Sequence, residues 1–270
     1  MPILNKDMTL CISLSARPSN NGTRFHNHLY EQLGLNWIYK AFRPTDLEQA
    51  IAGVRGLGIR GCAVSMPHKE DVIRLVDHMT ESAAAIESVN TIVNDDGVLT
   101  AYNTDFLAVA QLVQDLDQGL SVAVRGSGGM AKATVAALKS AGFGDVTVVA
   151  RNEERGRALA EQYGFAYAAD APEAATMLVN VTPVGMDGGD GEGQLSFTEE
   201  QIGRAEVVFD VIAVPAETPL IRAARGAGKR VITGAEVMTL QALEQFVLYT
   251  GITPTDEQVA AAEEFMRSEA

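Results

Sequence analysis

Three groups with chemistry to offer stand in order along this chain. Lys69 closes the run Gly-Cys-Ala-Val-Ser-Met-Pro-His-Lys at 61–69, and Asp105 closes Asn-Thr-Asp at 103–105. Downstream, Gly126-Ser127-Gly128-Gly129-Met130-Ala131 forms a GxGGxA turn. Small residues in such a turn let the backbone approach a pyrophosphate, whose charge is stabilised by free amides and the positive end of the following helix. The turn alone implies only a bound nucleotide, or a tight bend that needs glycine for its dihedrals. A lysine with an aspartate adds a group able to move a proton while a nicotinamide ring moves a hydride.

A second group of residues reads the nucleotide more finely. A cofactor with a free ribose 2′-hydroxyl is met by Asp or Glu at the end of the second strand of such a unit. Here Ala150-Arg151-Asn152-Glu153-Glu154-Arg155 stands at that place. Arg151 and Arg155 lie one helical turn apart, and planar guanidinium donors suit a 2′-phosphate, which favours NADP(H) over NAD(H). The alternative is an ordinary solvated helix start carrying Glu153 and Glu154.

These residues need a scaffold, and the pattern around them is α/β. Apolar runs at 8–14, 36–42 and 61–66 read as strands. Between them, Phe25, Leu29 and Leu33 recur at helical spacing before Gly34. Thr45 with Glu48 reads as a capping box ahead of a buried stripe of Leu47, Ile51, Val54 and Leu57. Val72, Ile73, Leu75 and Val76 suggest a further helix begun by Lys69, and the whole reads as a small parallel unit. A helix at 81–88, a strand at 89–93, and a turn at Asn94-Asp95-Asp96-Gly97 with a return strand lead to Asn103. Asp105 then opens a helix with Phe106, Val109, Leu112, Val113 and Leu116 on its apolar face.

Further strands are expected at 121–125, 146–150, 177–181, 207–212 and 230–233, with helices after the first two. That succession predicts an open parallel sheet binding a nucleotide at the carboxyl ends of its strands. Residues 187–193, rich in glycine and acid, read as a mobile surface loop. Helices at 236–250 and 255–268 end the chain and are expected to return to the first domain. The predicted division is 1–104 plus 235–270, and 105–234, with hinges near Asp105 and Gly234.

Bulk properties exclude several alternatives. The 270 residues suit two domains, and 47% hydrophobic content supports a sizeable core. A net charge of −14 disfavours nucleic acid and anionic membranes as partners. Cys11 and Cys62 sit in apolar runs without CxxC spacing, which predicts buried thiols and no disulfide or metal site. His26 and His28, two residues apart on a helix, point to different faces and do not read as metal ligands. His68 either lines the cleft beside Lys69 or packs away from it, and His78 has no partner identifiable in sequence. Without a basic leader or a long apolar stretch, a cytoplasmic protein is expected, as monomer or homodimer.

Six motifs taken together carry a specific likeness. Ser-Met-Pro-His-Lys at 65–69, Glu87-Ser88-Val89-Asn90-Thr91, Asn103-Thr104-Asp105, the turn at 126–129, Asn180-Val181-Thr182-Pro183-Val184-Gly185-Met186 and Gln241-Ala242 occur in register. Their order and spacing resemble the shikimate dehydrogenases, most closely the divergent shikimate dehydrogenase-like branch. The resemblance implies an N-terminal substrate domain and a Rossmann-type NADP domain. It also implies reversible NADP-linked oxidation of shikimate, a small cyclic hydroxy acid, to 3-dehydroshikimate in the shikimate pathway. Lys69 and Asp105 would flank the reacting hydroxyl as catalytic residues.

Substrate contacts implied by the likeness are Asn20, Gly22, Ser65, Asn90 and Gln241. Implied cofactor contacts are Gly126, Ser127, Gly128, Gly129, Met130, Arg151, Asn152, Arg155, Thr182, Val211 and Gly234. Three departures from the family pattern cover four positions. The family's paired serines, which grip the substrate carboxylate, fall at Asn20 and Gly22; its asparagine falls at Ala63; a tyrosine falls at Ala213. An asparagine amide can still donate to a carboxylate, with changed geometry. The expectation is retained chemistry with a shifted substrate, quinate and amino-shikimate being the nearest rivals. A non-catalytic dinucleotide sensor would have no need of a proton donor, and Asn103-Thr104-Asp105 speaks against a methylene-tetrahydrofolate dehydrogenase.

Overall fold

A computed structural model describes residues 4–268. The chain forms two compact units, Met1–Thr104 with Thr239–Ala270, and Asp105–Met238. Among the described residues no helix is long and apolar enough to cross a membrane.

The first unit opens with β1 (Thr9–Leu14), α1 (Asn21–Gln32), β2 (Trp37–Phe42), α2 (Leu47–Gly56) and β3 (Gly61–Val64). It continues through β4 (His78–Met79), α3 (Glu81–Ile86), β5 (Thr91–Asp95) and β6 (Val98–Tyr102), and α4 (Thr104–Val113) follows. Strands β2, β1 and β3 pair in parallel, but β5 and β6 join antiparallel, giving the order β2-β1-β3-β5-β6-β4. The three strands read as a parallel unit are parallel, and the expected hairpin β5–β6 joins their edge antiparallel, so the six-stranded sheet is mixed. The β5–β6 hairpin decides this: Asp96 (φ 52°) and Gly97 (φ 92°) form a tight two-residue turn, and the Asn94 side chain locks it by accepting from Gly97 N.

Local expectations failed at the ends of elements. Asp46, not Thr45, caps α2, accepting from Gln49 N while the Gln49 side chain returns a bond to its carboxylate. Leu57 lies beyond the last turn of α2 and is 78% exposed, whereas Ile51 and Val54 are buried. The apolar run at 72–76 forms only a 3-10 turn, Asp71–Leu75, burying Val72. Lys69 precedes it in an irregular turn and does not begin a helix.

In the second unit, β7 (Val122–Arg125), α5 (Gly129–Ser140), β8 (Val146–Val149), α6 (Glu153–Tyr163) and β9 (Ala166–Ala168) come first. They are followed by β10 (Met177–Asn180), α7 (Glu199–Arg204), β11 (Val207–Asp210), α8 (Pro219–Gly226) and β12 (Arg230–Thr233). All six strands are parallel, in the order β12-β11-β10-β7-β8-β9. Strands β8, β10 and β11 are buried at every position, as a sheet covered on both faces requires, and this is why their sequences are apolar but for one residue each, Thr147, Asn180 and Asp210.

Helix α9 (Gly234–Thr250) carries the chain from the second unit into the first, and α10 (Asp256–Arg267) follows it. In the first unit, α9 lies so close to β3 that a Cβ at Gly61 would meet the Tyr249 ring at 2.4 Å. The two cysteines are free and buried, and burial pushes the Cys11 thiol up to about 12.

Candidate functional site

In the second unit, the carboxyl ends of β7, β8 and β10 border a cleft of about 470 Å³. Residues 125–128, 149–152, 181–184 and 194–196 line it. Gly126 turns the chain with φ +136°, and a Cβ there would lie 2.7 Å from the Val181 side chain, so only glycine fits. At Gly128 and Gly129 a Cβ would meet nothing within 4 Å. The start of α5 thus presents bare backbone amides to open space, the cradle a pyrophosphate needs.

Arg151 and Asn152 line the same cleft from the end of β8. Asn152 caps α6 by accepting from Arg155 N, which leaves its amide nitrogen able to donate outward. Arg155 is exposed one turn further on and is not among the lining residues. Neither guanidinium makes an ion pair among the described residues. The donor set therefore suits an anionic group at the end of β8, and no carboxylate of the kind that binds a free 2′-hydroxyl lines the cleft.

A buried network shapes the floor between β10 and β11. Asp210 accepts from Thr218 Oγ1 (2.7 Å), Asn180 Nδ2 (3.0 Å) and Ile212 N (3.2 Å). Burial outweighs these bonds and pushes its carboxyl up to about 6. Asn180 in turn accepts from the Thr182 hydroxyl at 2.6 Å, and that hydroxyl accepts from Val184 N. Thr182 is thereby a turn-former whose hydroxyl is already engaged. Val211 donates its N–H to Asn180 O, and a Cβ at Gly234 would sit 2.2–2.3 Å from the backbone of Val211 and Ile212. Glycine at 234 is thus a condition for α9 to start where it does.

In the first unit, several expected residues gather around the carboxyl end of β3. Ser65 N bonds Leu14 O, joining the end of β3 to the end of β1, and Val64 N bonds Asn90 O. The Lys69 carbonyl accepts from Val89 N, which fixes the lysine's backbone next to Asn90. The Asn90 side chain is buried and committed. It accepts from Thr104 N (2.8 Å) and the Thr91 hydroxyl, and donates to the Thr104 hydroxyl at 3.0 Å. Gln241 Oε1 lies 3.5 Å from the same hydroxyl, and Gln245 donates to Thr91. The Asn103 side chain donates to Ser88 O, so the backbone leading into Asp105 is held from both sides.

Other expected residues stand apart. Asn20 is exposed at the N-terminus of α1 and makes no side-chain cap bond. A Cβ at Gly22 would lie 3.4 Å from the Tyr39 ring and hydroxyl. His26 stacks on Tyr39 at 4.4 Å, whereas His28 stacks on Phe265 of α10, so the two do face different ways. His68 is half-buried, with its Nε2 lacking a hydrogen-bond partner among the described residues. The run 187–193 is tied by Gly185 N to Gly191 O and by Gly188 N to the Glu192 carboxylate.

Comparison with known proteins places the chain in a family. A model of the shikimate dehydrogenase substrate binding domain matches residues 19–92, and a shikimate/quinate 5-dehydrogenase model matches 108–181. A shikimate dehydrogenase-like protein of Haemophilus influenzae is 55% identical over 269 residues, 98% of this chain and 99% of that one. The chain belongs to the shikimate dehydrogenase family.

An NADP(+) shikimate dehydrogenase of Methanothermobacter thermautotrophicus shares 33% identity over 85% of this chain and 86% of its own. A solved shikimate 5-dehydrogenase-like structure superposes with TM-score 0.96 at 55% identity, covering 98% of this chain and all of that one. The Thermus thermophilus enzyme in complex with NADP(H) and shikimate gives 0.83 at 27% identity, over 96% and 99%. The family models span Lys69, Asn90, the glycine turn and Arg151, while Asp105, Thr182 and Gln241 lie outside them. Sequence reasoning missed Arg125, Leu195 and Ser196 on the cleft wall and Asp210 beneath it. The available signal was a charged residue ending an otherwise apolar strand, as in Val122–Arg125 and Val207–Asp210.

Proposed function

We propose that the chain is an NADP-linked dehydrogenase that interconverts shikimate, or a close cyclic hydroxy acid, and its 3-dehydro ketone. The carrying observation is the cleft at the ends of β7 and β8, with bare glycine amides on one side and Arg151 where NAD enzymes carry an acid. On this reading Asp105–Met238 is the cofactor domain, and Met1–Thr104 with Thr239–Ala270 the substrate domain. Gly126 to Met130 would hold the pyrophosphate, Arg151, Asn152 and Arg155 the 2′-phosphate, and Thr182, Val211 and Gly234 the nicotinamide half. When bound, the cofactor supplies or accepts the hydride.

The chain's own residues handle the proton. Reduction of the ketone leaves an alkoxide, and Lys69 donates a proton to that oxygen; in the oxidative direction it receives one. Asp105 holds the ammonium and binds the same hydroxyl. Ser65, Gln241 and the Asn20 amide orient the ring and its carboxylate. The closed bonding of Asn90 with Thr91 and Thr104 points to a supporting role: it sets the start of α4, and hence Asp105, while the substrate is held by its neighbours.

Two observations favour a substrate shifted from shikimate. Tyr39 fills the space beside Gly22 where the family carries a carboxylate-binding serine, and Ala213 replaces a family tyrosine. The test is NADPH formation, followed by absorbance, with shikimate, quinate and amino-shikimate. Turnover of one of these acids with NADP(+) is expected. Binding of NADP(H) without turnover of any would replace the enzyme by a dinucleotide sensor.

A further inference from the structure

Arg125 is the one charged residue of β7, placed directly before Gly126 at the end of Val-Ala-Val. It shares a face of the strand with Ala123, the face that packs against Phe197, Ile202 and Leu220. Its register partner on β8 is Val149, and beyond β8 lies β9. The side chain reaches past the end of β8 to Asp170, just after β9, with Nη2 2.5 Å from Oδ1. On the way its guanidinium lies 4.8 Å from the centre of the Phe197 ring. Only 24% of the side chain is exposed, and Nε is buried with no hydrogen-bond partner among the described residues. What remains accessible lines the cleft, together with Arg151, Val181, Val184 and Leu195.

We propose that Arg125 is an adenine-binding residue, forming with Val181, Val184 and Leu195 a slot for the purine base of the dinucleotide. The inference rests on the NADP reading of the same cleft. Three features separate it from a third phosphate ligand. Its charge is already balanced by Asp170, whose carboxyl is held below the usual range by Ala171 N and then by Arg125 itself. The cleft it lines carries the apolar side chains of Val181, Val184 and Leu195 among its polar ones, and these suit the faces of a flat ring. Its position, fixed by Phe197 and Asp170, offers a preformed planar cation, and such a plane attracts an aromatic face without loss of side-chain freedom on binding. The exposed Arg151, without an ion pair among the described residues, keeps the role of reading the 2′-phosphate.

The test is calorimetric titration of the full chain with 2′,5′-ADP, 5′-ADP and nicotinamide mononucleotide. Arg125→Leu is expected to weaken both adenine nucleotides by the same factor, roughly 3- to 30-fold, with the mononucleotide unchanged. Arg125→Lys, which keeps the charge and loses the plane, should behave in the same way, and it covers the case of a leucine variant that fails to fold. Arg151→Ala should weaken 2′,5′-ADP alone. Unchanged affinities in both Arg125 variants would overturn the proposal, as would a loss confined to 2′,5′-ADP or one shared by the mononucleotide. A wild-type chain that binds none of the three would overturn the cofactor reading itself, and this inference with it.

Discussion

The two ends of the chemistry are built differently. The cofactor cleft is made of backbone: Gly126 stands where a Cβ would meet Val181, Gly128 and Gly129 leave open space before α5, and Arg151 lines the rim. The substrate end is made of side chains already bonded to one another, with Asn90, Thr91, Thr104 and Gln245 in one buried set and Tyr39 against Gly22. A backbone cradle tolerates little sequence change, whereas a side-chain network can be rewired while the fold persists. On the proposed reading this would account for cofactor positions that match the family pattern beside departures at Asn20, Gly22, Ala63 and Ala213.

The harshest way to break the contrast is Gly234→Val. A Cβ at 2.2 Å from Ile212 has no room, so α9 cannot start in place, and loss of folded protein by circular dichroism is expected. Next, Arg151→Ala with Arg155→Ala should raise the KM for NADP(H) about 10- to 100-fold, through the loss of charge-assisted bonds of about 1.5–3 kcal/mol, and leave NAD(H) unaffected. Equal effects on both cofactors would remove the arginines from the 2′-phosphate.

The units should also respond to acid in opposite senses. Burial lowers His26 in the first unit to about 3, so the unfolded chain takes up a proton that the fold refuses. That unit therefore loses stability as pH falls from about 6.5 toward 3. Asp210 in the second unit titrates near 6, above its unfolded value, so the fold binds its proton first. The second unit gains stability as pH falls from about 6 to 4, and loses that gain as pH rises again. Each contribution is on the order of 3–5 kcal/mol at most. Amide-exchange protection, corrected for the intrinsic rate at each pH, should fall at β1–β3 as pH drops over this range and rise at β10–β11, and His26→Phe and Asp210→Asn should each flatten one trend. Parallel trends in both units would contradict the assignment.

The mildest change is Gly22→Ser. With Tyr39 only 3.4 Å from the new Cβ, stability should shift by no more than about 1 kcal/mol, because a small movement of the ring relieves the contact. The relative kcat/KM for shikimate and quinate should change, and an unchanged ratio would show that position 22 does not select the acid.

Legibility in the sequence followed the same division. Strands β8, β10 and β11 were plain because a covered parallel sheet demands near-continuous apolar runs, and the glycine turn was plain because its spacing is backbone geometry. Strands β4 and β9, of two and three residues, are too short to show a period. The antiparallel joining of β5 was hidden because hairpin and crossover leave similar apolar patterns, and only pairing distinguishes them. Leu57 matched the stripe of α2 by spacing but stands past its final turn, where the helix no longer decides which way a side chain points. Lys69 and Asn90 were found as types at positions. That Asn90 spends its amide on Thr104 could not be read from sequence, since hydrogen-bond partners 14 residues apart leave no periodic trace.

Lys69 is the residue proposed to move the proton. The direct measurement is turnover of the preferred ring acid by Lys69→Ala, with NADP(H) affinity determined on the same preparation. A fall in kcat of about 10²- to 10⁴-fold with cofactor affinity unchanged is the predicted result. Turnover within a few-fold of wild type would contradict it.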